Sequence, residues 1–520
     1  MHEVDSAAAA ATEEDHALTV QQALITYRPA VLWSFAIALV IVMEGYDTVL
    51  IQSFFAYPAF NRKYGEYDAR LGETVISFTW QIAFGMGTLL GQTIGVFVGG
   101  FVIERFGVRR VIMCGMVVLT GTIFCTCFAE TREVLLAGQV LNGLPLGAFA
   151  SIGSIYISEV CPTVLRAFSL SFINACWVIG QLLAAGVLQG LVSNTTEWSY
   201  RIPFAVQWVW VIPLALLAFL APESPWWLVR KGCLEDAATS IRRLTSNLTE
   251  QQLEQHLAIM KHTNELELSL DTKARYRDCF TPLNRWRTEI ACVVLASQAI
   301  IGQAFAYNGT FFFVQAGLSP EVAYKLNLGS TGIALVMTFL SWWFMSAAGR
   351  RPLLIFGYSV LAVLLLLIGC LDFAAKSSSA AKWVQVGCTI AWLAVYTGFV
   401  GPETFTVAGE ASATRVRAHT LSVGRNVYYL CSVALGVINS YLINPTGGNW
   451  KGKCGFLWFG TTVLVLIWAV FRLPETKGRT YEELDILFAK GIPAWRFKAQ
   501  RVDAVVEATY AVKDVKSGKE

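Results

Sequence analysis

Apolar residues in this chain come in long uninterrupted runs, not in strict alternation and not at amphipathic spacing. The runs lie at 31–51, 75–101, 110–129, 133–157, 168–192 and 202–220, and then at 288–315, 328–347, 351–372, 383–405, 418–442 and 455–473. A helix needs about 20 apolar residues to cross a bilayer. Each run is too long for a strand, and none alternates as the strands of a membrane barrel do. The pattern predicts an all-α polytopic membrane protein with twelve transmembrane helices. A polar segment at 221–287 separates the sixth run from the seventh and contains amphipathic stretches such as Leu234 to Leu248, so a helical linker is expected there. The predicted organisation is a disordered tail over 1–30, a six-helix bundle over 31–220, the linker, a second bundle over 288–473 and a tail over 474–520. The first 30 residues lack the basic-then-apolar form of a cleaved signal peptide.

Composition supports this reading and narrows it. The 520 residues are 55% hydrophobic and 15% charged, with mean hydropathy +0.51. Soluble domains carry about 25% charged residues, so an ordinary soluble protein is excluded. An aromatic content of 13% excludes a disordered one. A net charge of +3 gives no reason to expect a nucleic-acid partner. The placement of charge matters more than its sum. With the N-terminus inside, the cytoplasmic segments hold 29 of the 40 Lys and Arg residues, the outer loops hold 10, and Arg425 lies inside a run. The positive-inside rule therefore puts both termini and the linker in the cytoplasm.

Catalytic and cofactor signatures are missing from the sequence. The five His do not cluster, so no metal site is expected. Gly447 to Lys453 is spaced like a phosphate loop, but Cys454 stands where Ser or Thr is needed and no strand precedes it. No nucleophile–base set is visible. An enzyme is not expected, nor is any cofactor.

The two halves repeat short charged signatures. Gly107-Val108-Arg109-Arg110 follows the second run, and Gly349-Arg350-Arg351 follows the eighth. Glu159 precedes Arg166 by seven residues, and Glu410 precedes Arg417 by seven. Pro222-Glu223-Ser224 closes the first half and Pro474-Glu475-Thr476 the second. Duplicated halves of this kind are typical of secondary transporters, whose substrate site lies between them near mid-membrane. Glu104, Arg105, Arg109, Arg110, Glu159 and Arg166, with Arg350, Glu410 and Arg417 in the second half, form a candidate cytoplasmic gate. Carboxylate–guanidinium pairs linking the halves would close that face. The spacing of Gly87, Gly91, Gly95 and Gly99 is read as a close-packing helix face.

These residues also carry a resemblance. Glu104 to Arg110, Tyr156 to Arg166, Pro222 to Leu228 and Pro474 to Gly478 together resemble the signatures of the sugar porter family of the major facilitator superfamily, over nearly the whole chain. Glu44-Gly45-Tyr46-Asp47-Thr48 and Trp226-Trp227 resemble the fungal maltose permease branch, the α-glucoside–proton symporters. The resemblance implies a multi-pass plasma-membrane protein that works as a monomer. It would import an α-glucoside di- or oligosaccharide of the maltose, sucrose or trehalose type with protons, by alternating access. Its partners would be the sugar, protons and the bilayer. An uncoupled facilitator, a symporter for another sugar or polyol, and a sugar sensor are the alternatives. The short C-terminal tail argues against the sensor.

Ionisable residues inside spans are functional candidates by default. Glu44 and Asp47 are three apart and share a helix face. Two carboxylates this close in an apolar setting do not both ionise easily. In the resembled branch, acids of span 1 and an arginine of span 11 serve proton coupling, and Glu44, Asp47 and Arg425 match those positions. Gln92 stands where the branch carries an acid in span 2, and Gln139 where the wider family often has Arg. Glu403 is an unusual acid in span 10 and a candidate to replace the missing charge in the coupling network.

Sugars are bound by aromatic faces and by amides that both donate and accept. Asn174 and Gln181 are seven apart in span 5. Gln298, Gln303, Tyr307 and Asn308 fall in span 7, and Phe405 in span 10 sits where many sugar porters place Trp. Asn426 and Tyr428 follow Arg425 in span 11. These form the candidate sugar path. The usual asparagine of span 7 falls on Ala304, so Gln303 or Asn308 is expected to supply its contact.

Overall fold

The computed structural model describes residues 20–68, 73–246, 248–269, 276–375, 378–413, 416–445, 447–477, 479, 484, 486–488, 490–497 and 500. Among the described residues, twelve helices are long and apolar enough to cross a membrane. Spans 1 to 6 are Arg28–Phe54, Phe78–Phe106, Val108–Cys127, Arg132–Val160, Phe168–Leu191 and Trp198–Leu220. Spans 7 to 12 are Asn284–Tyr307, Pro320–Ala347, Arg350–Ala374, Ser379–Ala411, His419–Ile443 and Lys451–Arg472. Among the described residues the linker carries the α-helices Pro225–Arg230, Leu234–Leu244 and Glu250–Ser269 and a short 3-10 helix, Tyr276–Phe280. An even number of spans separates the first described residues from the linker, so both lie on one face, called here the linker face. The opposite side is the far face.

The sequence reading placed residues 20–30 in a disordered tail. They are helical instead, in Val20–Thr26 and the start of span 1. Residues 1–19 and 501–520 lie outside the described residues. The loop after span 1 also holds a short antiparallel hairpin, Glu66–Asp68 paired with Glu73–Val75, which no alternation in the sequence announced.

Lipid tails are as apolar as Leu, so packing and small residues hold membrane helices together rather than hydrophobic burial. Span 2 packs on span 4 and span 1 on span 5. The glycine stripe of span 2 makes the first contact possible. A Cβ on Gly91 would run into the Val140 carbonyl, and one on Gly143 into the backbone of span 2. In the second half, span 9 packs on spans 10 and 12, and span 7 on span 11. The halves meet where span 2 lies against span 11 and span 5 against span 8.

Spans 7 and 10 each open into a wide turn. Span 7 does so over Ala299–Gln303, with Gly302 at φ 94°, and ends at Tyr307 before a separate short helix, Gly309–Gln315. The apolar run to 315 is therefore not one helix. Span 10 has a matching wide turn over Tyr396–Val400 before Gly401-Pro402 restart the helix. Backbone groups freed inside a membrane must find partners. Thr461 Oγ1 donates to the Ile300 carbonyl at 2.7 Å, and Asn439 Nδ2 to the Ala304 carbonyl at 3.0 Å. Such breaks frequently mark functional sites.

Candidate functional site

The central feature is an ion pair between the halves. Arg425 of span 11 reaches Glu44 of span 1, with Nη2 3.4 Å from Oε1. Glu44 is 2% exposed. Tyr429 OH donates to the same oxygen at 3.3 Å. Three rings surround the guanidinium, with centroids at 4.9 Å for Tyr428, 5.0 Å for Tyr429 and 5.5 Å for Phe405. Cation–π attraction of this kind strengthens when water is excluded. The site thus offers a buried carboxylate whose partner is both charged and caged.

Asp47 does not join this pair, although it is three residues from Glu44. It is 1% exposed and turns into the first half, where Gln207 Nε2 of span 6 donates to Oδ1 at 3.3 Å. Asn142 and Thr88 stand beside the same carboxyl. Around them, Thr88 Oγ1 donates to Gln139 Oε1 at 2.6 Å and Thr122 Oγ1 to Asn142 Oδ1 at 2.9 Å. Gln92 is buried nearby on span 2, and its Nε2 finds no acceptor among the described residues. A shared helix face brought the two acids close along the chain, but the packing of spans 2, 4 and 6 divides them between two environments.

The sugar candidates separate in the same way. Gln298, Gln303, Tyr307 and Tyr428 come together in one hydrogen-bonded network around Tyr396. Tyr396 OH donates to Gln298 Oε1 at 2.9 Å and accepts from Gln303 Nε2 at 3.2 Å. Gln303 Nε2 also reaches Tyr307 OH at 3.1 Å, and Tyr428 OH donates to Gln303 Oε1 at 3.1 Å. Beside this network lies a cavity of about 550 Å³, open space at its mouth included, also bordered by Thr48, Gln52 and Ser432. A second cavity of about 410 Å³ shares Tyr307 and is lined by Gln181 and Thr389. Asn174 is buried against the restart of span 10, beside Gly401. Asn426 and Asn308 give their Nδ2 to carbonyls of their own helices, Ser422 at 2.9 Å and Ala304 at 2.8 Å. Phe405 lies under Arg425 instead of in either cavity lining. The sequence reading missed Tyr396, whose signal was the one tyrosine in the apolar run of span 10.

The linker-face charges form two matching knots, one per half. Glu223 accepts from the backbone N–H groups of Val108 at 3.0 Å and Arg109 at 3.2 Å, so it caps the start of span 3. Glu475 accepts from Arg350 N–H at 2.9 Å and caps span 9. Glu159 receives Ser224 Oγ and pairs with Arg230 at 2.6 Å. Glu410 receives Thr476 Oγ1 and pairs with Arg350 at 3.1 Å. Arg109 donates to the Phe219 carbonyl, and Arg351 to Val470 O at 2.7 Å. Burial pushes the Glu223 carboxyl up from its ordinary range, while the capped N–H groups pull it back.

This corrects the gate expected from sequence. Among the described residues, the pair at Glu159 ties span 4 to the linker helix Pro225–Arg230 and the pair at Glu410 ties span 10 to span 9, and neither links the halves. The cause is local: the first N–H groups of spans 3 and 9 need acceptors, and the half-end carboxylates supply them. Glu104, Arg105 and Arg110 are exposed beside the first knot. Arg417 opens the helix of span 11. The side chain of Arg166 lies outside the described residues. Cross-half hydrogen bonds occur on the far face, where Tyr324 OH donates to Ser53 O and Asn444 Nδ2 to Gln81 Oε1.

Glu403 also departs from the central network. It is buried on span 10, and the charges that act on it are Arg350, Glu410, Glu475 and Lys477, the components of the second knot.

Comparison with known proteins adds a lineage to this geometry. A family model described as "Sugar (and other) transporter" matches residues 33–488. The chain is 34% identical to maltose permease MAL61 of Saccharomyces cerevisiae over 98% of its own length and 84% of that protein. It is 33% identical to the alpha-glucosides permease MPH3 of Saccharomyces cerevisiae, over 96% of this chain and 84% of that one. Among solved structures, the proton:xylose symporter XylE bound to 6-bromo-6-deoxy-D-glucose superposes with TM-score 0.71 at 19% identity, covering 89% of this chain and 99% of that one. A partially occluded inward-open form of XylE from E. coli gives 0.70 at 19% identity over 87% and 99%. The relatives are permeases and transporters, not enzymes.

Proposed function

Since the chain belongs to the sugar transporter family of the major facilitator superfamily, we propose that it imports an α-linked di- or oligosaccharide of glucose together with protons. Full-length similarity to the maltose and α-glucoside permeases supports the substrate class. The buried Glu44–Arg425 pair between the halves supports the coupling. A proton on Glu44 weakens its hold on Arg425, which then turns to its ring cage and to the neighbouring Tyr428, itself bonded to Gln303 of the candidate sugar network. Proton and sugar thereby act on the same side chains, and binding one favours binding the other. Asp47, in its amide pocket, serves as a second acid on the N-terminal side of the path.

Gln298, Gln303, Tyr307 and Tyr428 hold the sugar. Asn174, Gln181, Asn308, Phe405 and Asn426 shape the path around it. Spans 7 and 10 bend at their breaks as the halves rock, and the knots keep each half rigid while they do so. The excess of Lys and Arg on the linker face supports a cytoplasmic linker face, and similarity to permeases supports a plasma-membrane location, where the protein works as a monomer.

A second reading, an uncoupled facilitator, rests on Gln92. It is buried beside the Asp47 pocket and cannot titrate. Uptake into proteoliposomes of a sugar panel containing maltose, sucrose, trehalose, glucose and a polyol, with and without an inward proton gradient, separates the readings. Gradient-driven accumulation of an α-glucoside supports symport. Gradient-independent equilibration of the same sugar supports the facilitator. No flux of any α-glucoside overturns the substrate class.

A further inference from the structure

Glu403 is buried, 1% exposed, and neither carboxyl oxygen meets a hydrogen-bond donor among the described residues. It sits in the first turn after the break in span 10, on a helix that ends at Ala411. Glu410 lies seven residues on, two turns along the same helix face. Arg350 acts on both carboxylates and is ion-paired to Glu410. Glu475 caps the helix that Arg350 begins, and Lys477 Nζ is engaged by the Ser346 carbonyl at 2.6 Å. Other elements packed on this helix turn their charges elsewhere. Arg287 of span 7 donates to the Ala411 carbonyl at 2.8 Å, and Arg425 of span 11 faces Glu44 and Phe405. Span 5 presents the neutral Asn174.

The first half shows what this position holds when no switch is needed. By the 251-residue offset that relates Glu159 to Glu410, Glu403 corresponds to Ile152. By the 242-residue offset that relates Gly107 to Gly349, Arg350 corresponds to Val108. Val108 and Ile152 are both buried in one apolar cluster. The second half has exchanged an apolar pair for a charged one at the same place. A buried carboxylate without donors is costly unless it is neutralised or paired, and one guanidinium cannot satisfy Glu403 and Glu410 fully at the same time.

We propose that Glu403 is a proton site distinct from the Glu44–Arg425 pair, and that its occupancy locks or frees the second charge knot. A proton rests on Glu403 while Arg350 is committed to Glu410. When that proton leaves to water at the linker face, Arg350 turns inward to the Glu403 carboxylate. Glu410 then loses its guanidinium partner, and the Pro474–Lys477 segment loosens. Acid on the linker side therefore holds the knot closed. The site tunes the stiffness of the second half and lies outside the coupled step, so it does not depend on which sugar is carried.

The test is hydrogen–deuterium exchange of the full-length purified protein across 346–354 and 472–479, corrected for the intrinsic pH dependence of amide exchange. In the wild type, exchange in these segments rises several-fold from mildly acidic to mildly alkaline pH. Glu403→Gln, which mimics the protonated acid, and Glu403→Ile, which restores the first-half residue, both keep it low and flat. A wild-type knot that ignores pH, or a Glu403→Gln protein that tracks the wild type, overturns the inference. Gradient-driven sugar accumulation supplies the second arm. Glu403→Gln retains accumulation, whereas Glu44→Gln loses it. Loss of accumulation in Glu403→Gln with unchanged knot exchange would assign Glu403 to the central coupling pair and overturn the separate site. Failure of the α-glucoside reading shows only in the sugar panel and leaves the exchange result standing.

Discussion

Arg425 and Glu44 lie 381 residues apart in the chain and 3.4 Å apart in the fold. The pair is the one place where the two halves exchange charge near mid-membrane, among the described residues. Removing one partner from a buried pair leaves the other uncompensated, at a cost of about 3–5 kcal/mol. Arg425→Ala is therefore expected to lower thermal stability markedly in a detergent melt. The double variant Glu44→Gln/Arg425→Ala should recover most of the loss. A double variant no more stable than Arg425→Ala would show that the pair is not coupled.

Asp47 makes a different prediction because it answers to Gln207 and not to Arg425. Gln207→Ala strips the donor from a buried carboxyl, which costs about 1–3 kcal/mol. Asp47→Asn should relieve that cost in the background of Gln207→Ala, and Arg425→Ala should leave it untouched. Melting curves of the three combinations provide the check.

The network around Tyr396 predicts a binding effect without a structural one. Tyr396→Phe keeps the ring stacked on Trp392, with centroids 5.2 Å apart, and deletes the hydroxyl that joins Gln298 to Gln303. KM for the transported sugar should rise about tenfold, equivalent to ~1.4 kcal/mol, with protein abundance unchanged. An unaltered KM would remove Tyr396 from the sugar site.

Much of the fold was legible in the chain because a bilayer enforces a simple rule: long apolar runs become helices. Twelve runs gave twelve spans, and the repeated charged signatures marked the ends of the halves. The breaks in spans 7 and 10 were not legible, since Ala299–Gln303 and Tyr396–Val400 read as ordinary apolar helix, and the donors that reach the freed carbonyls of span 7, Thr461 and Asn439, are distant in sequence. Arg425 and Glu44 stand out in the sequence as charges inside spans, but packing alone decides which carboxylate Arg425 meets. Asp47 and Glu403 show the limit of that method. Both are acids inside spans, yet span packing sends one into an amide pocket and the other to a charge knot, and neither destination is encoded near them in sequence.

Gly107 has φ 84°, and a Cβ there would meet the Glu223 carboxylate at 2.7 Å. Gly107→Ala should cost about 1–3 kcal/mol through backbone strain and further through loss of the span 3 cap. Gly100, where a Cβ meets nothing within 4 Å, should accept Ala without loss. Comparing membrane abundance and melting temperature of the two variants tests whether the first knot holds its half together.

The far-face clasp gives a conformational prediction. Tyr324→Phe combined with Asn444→Ala removes the hydrogen bonds to Ser53 and Gln81. The far side should open more often, and a cysteine placed at Gln52 in the cavity lining should label faster from that side. Unchanged labelling would show that the clasp does not govern opening.

The most direct test of the central claim is sugar-induced proton uptake. Maltose is added to a weakly buffered suspension of cells or proteoliposomes containing the wild type, Glu44→Gln or Arg425→Ala, and the external pH is followed. The account predicts alkalinisation with the wild type and none with Glu44→Gln, while counterflow exchange of labelled maltose persists in Glu44→Gln. Equal alkalinisation by the wild type and Glu44→Gln would contradict it.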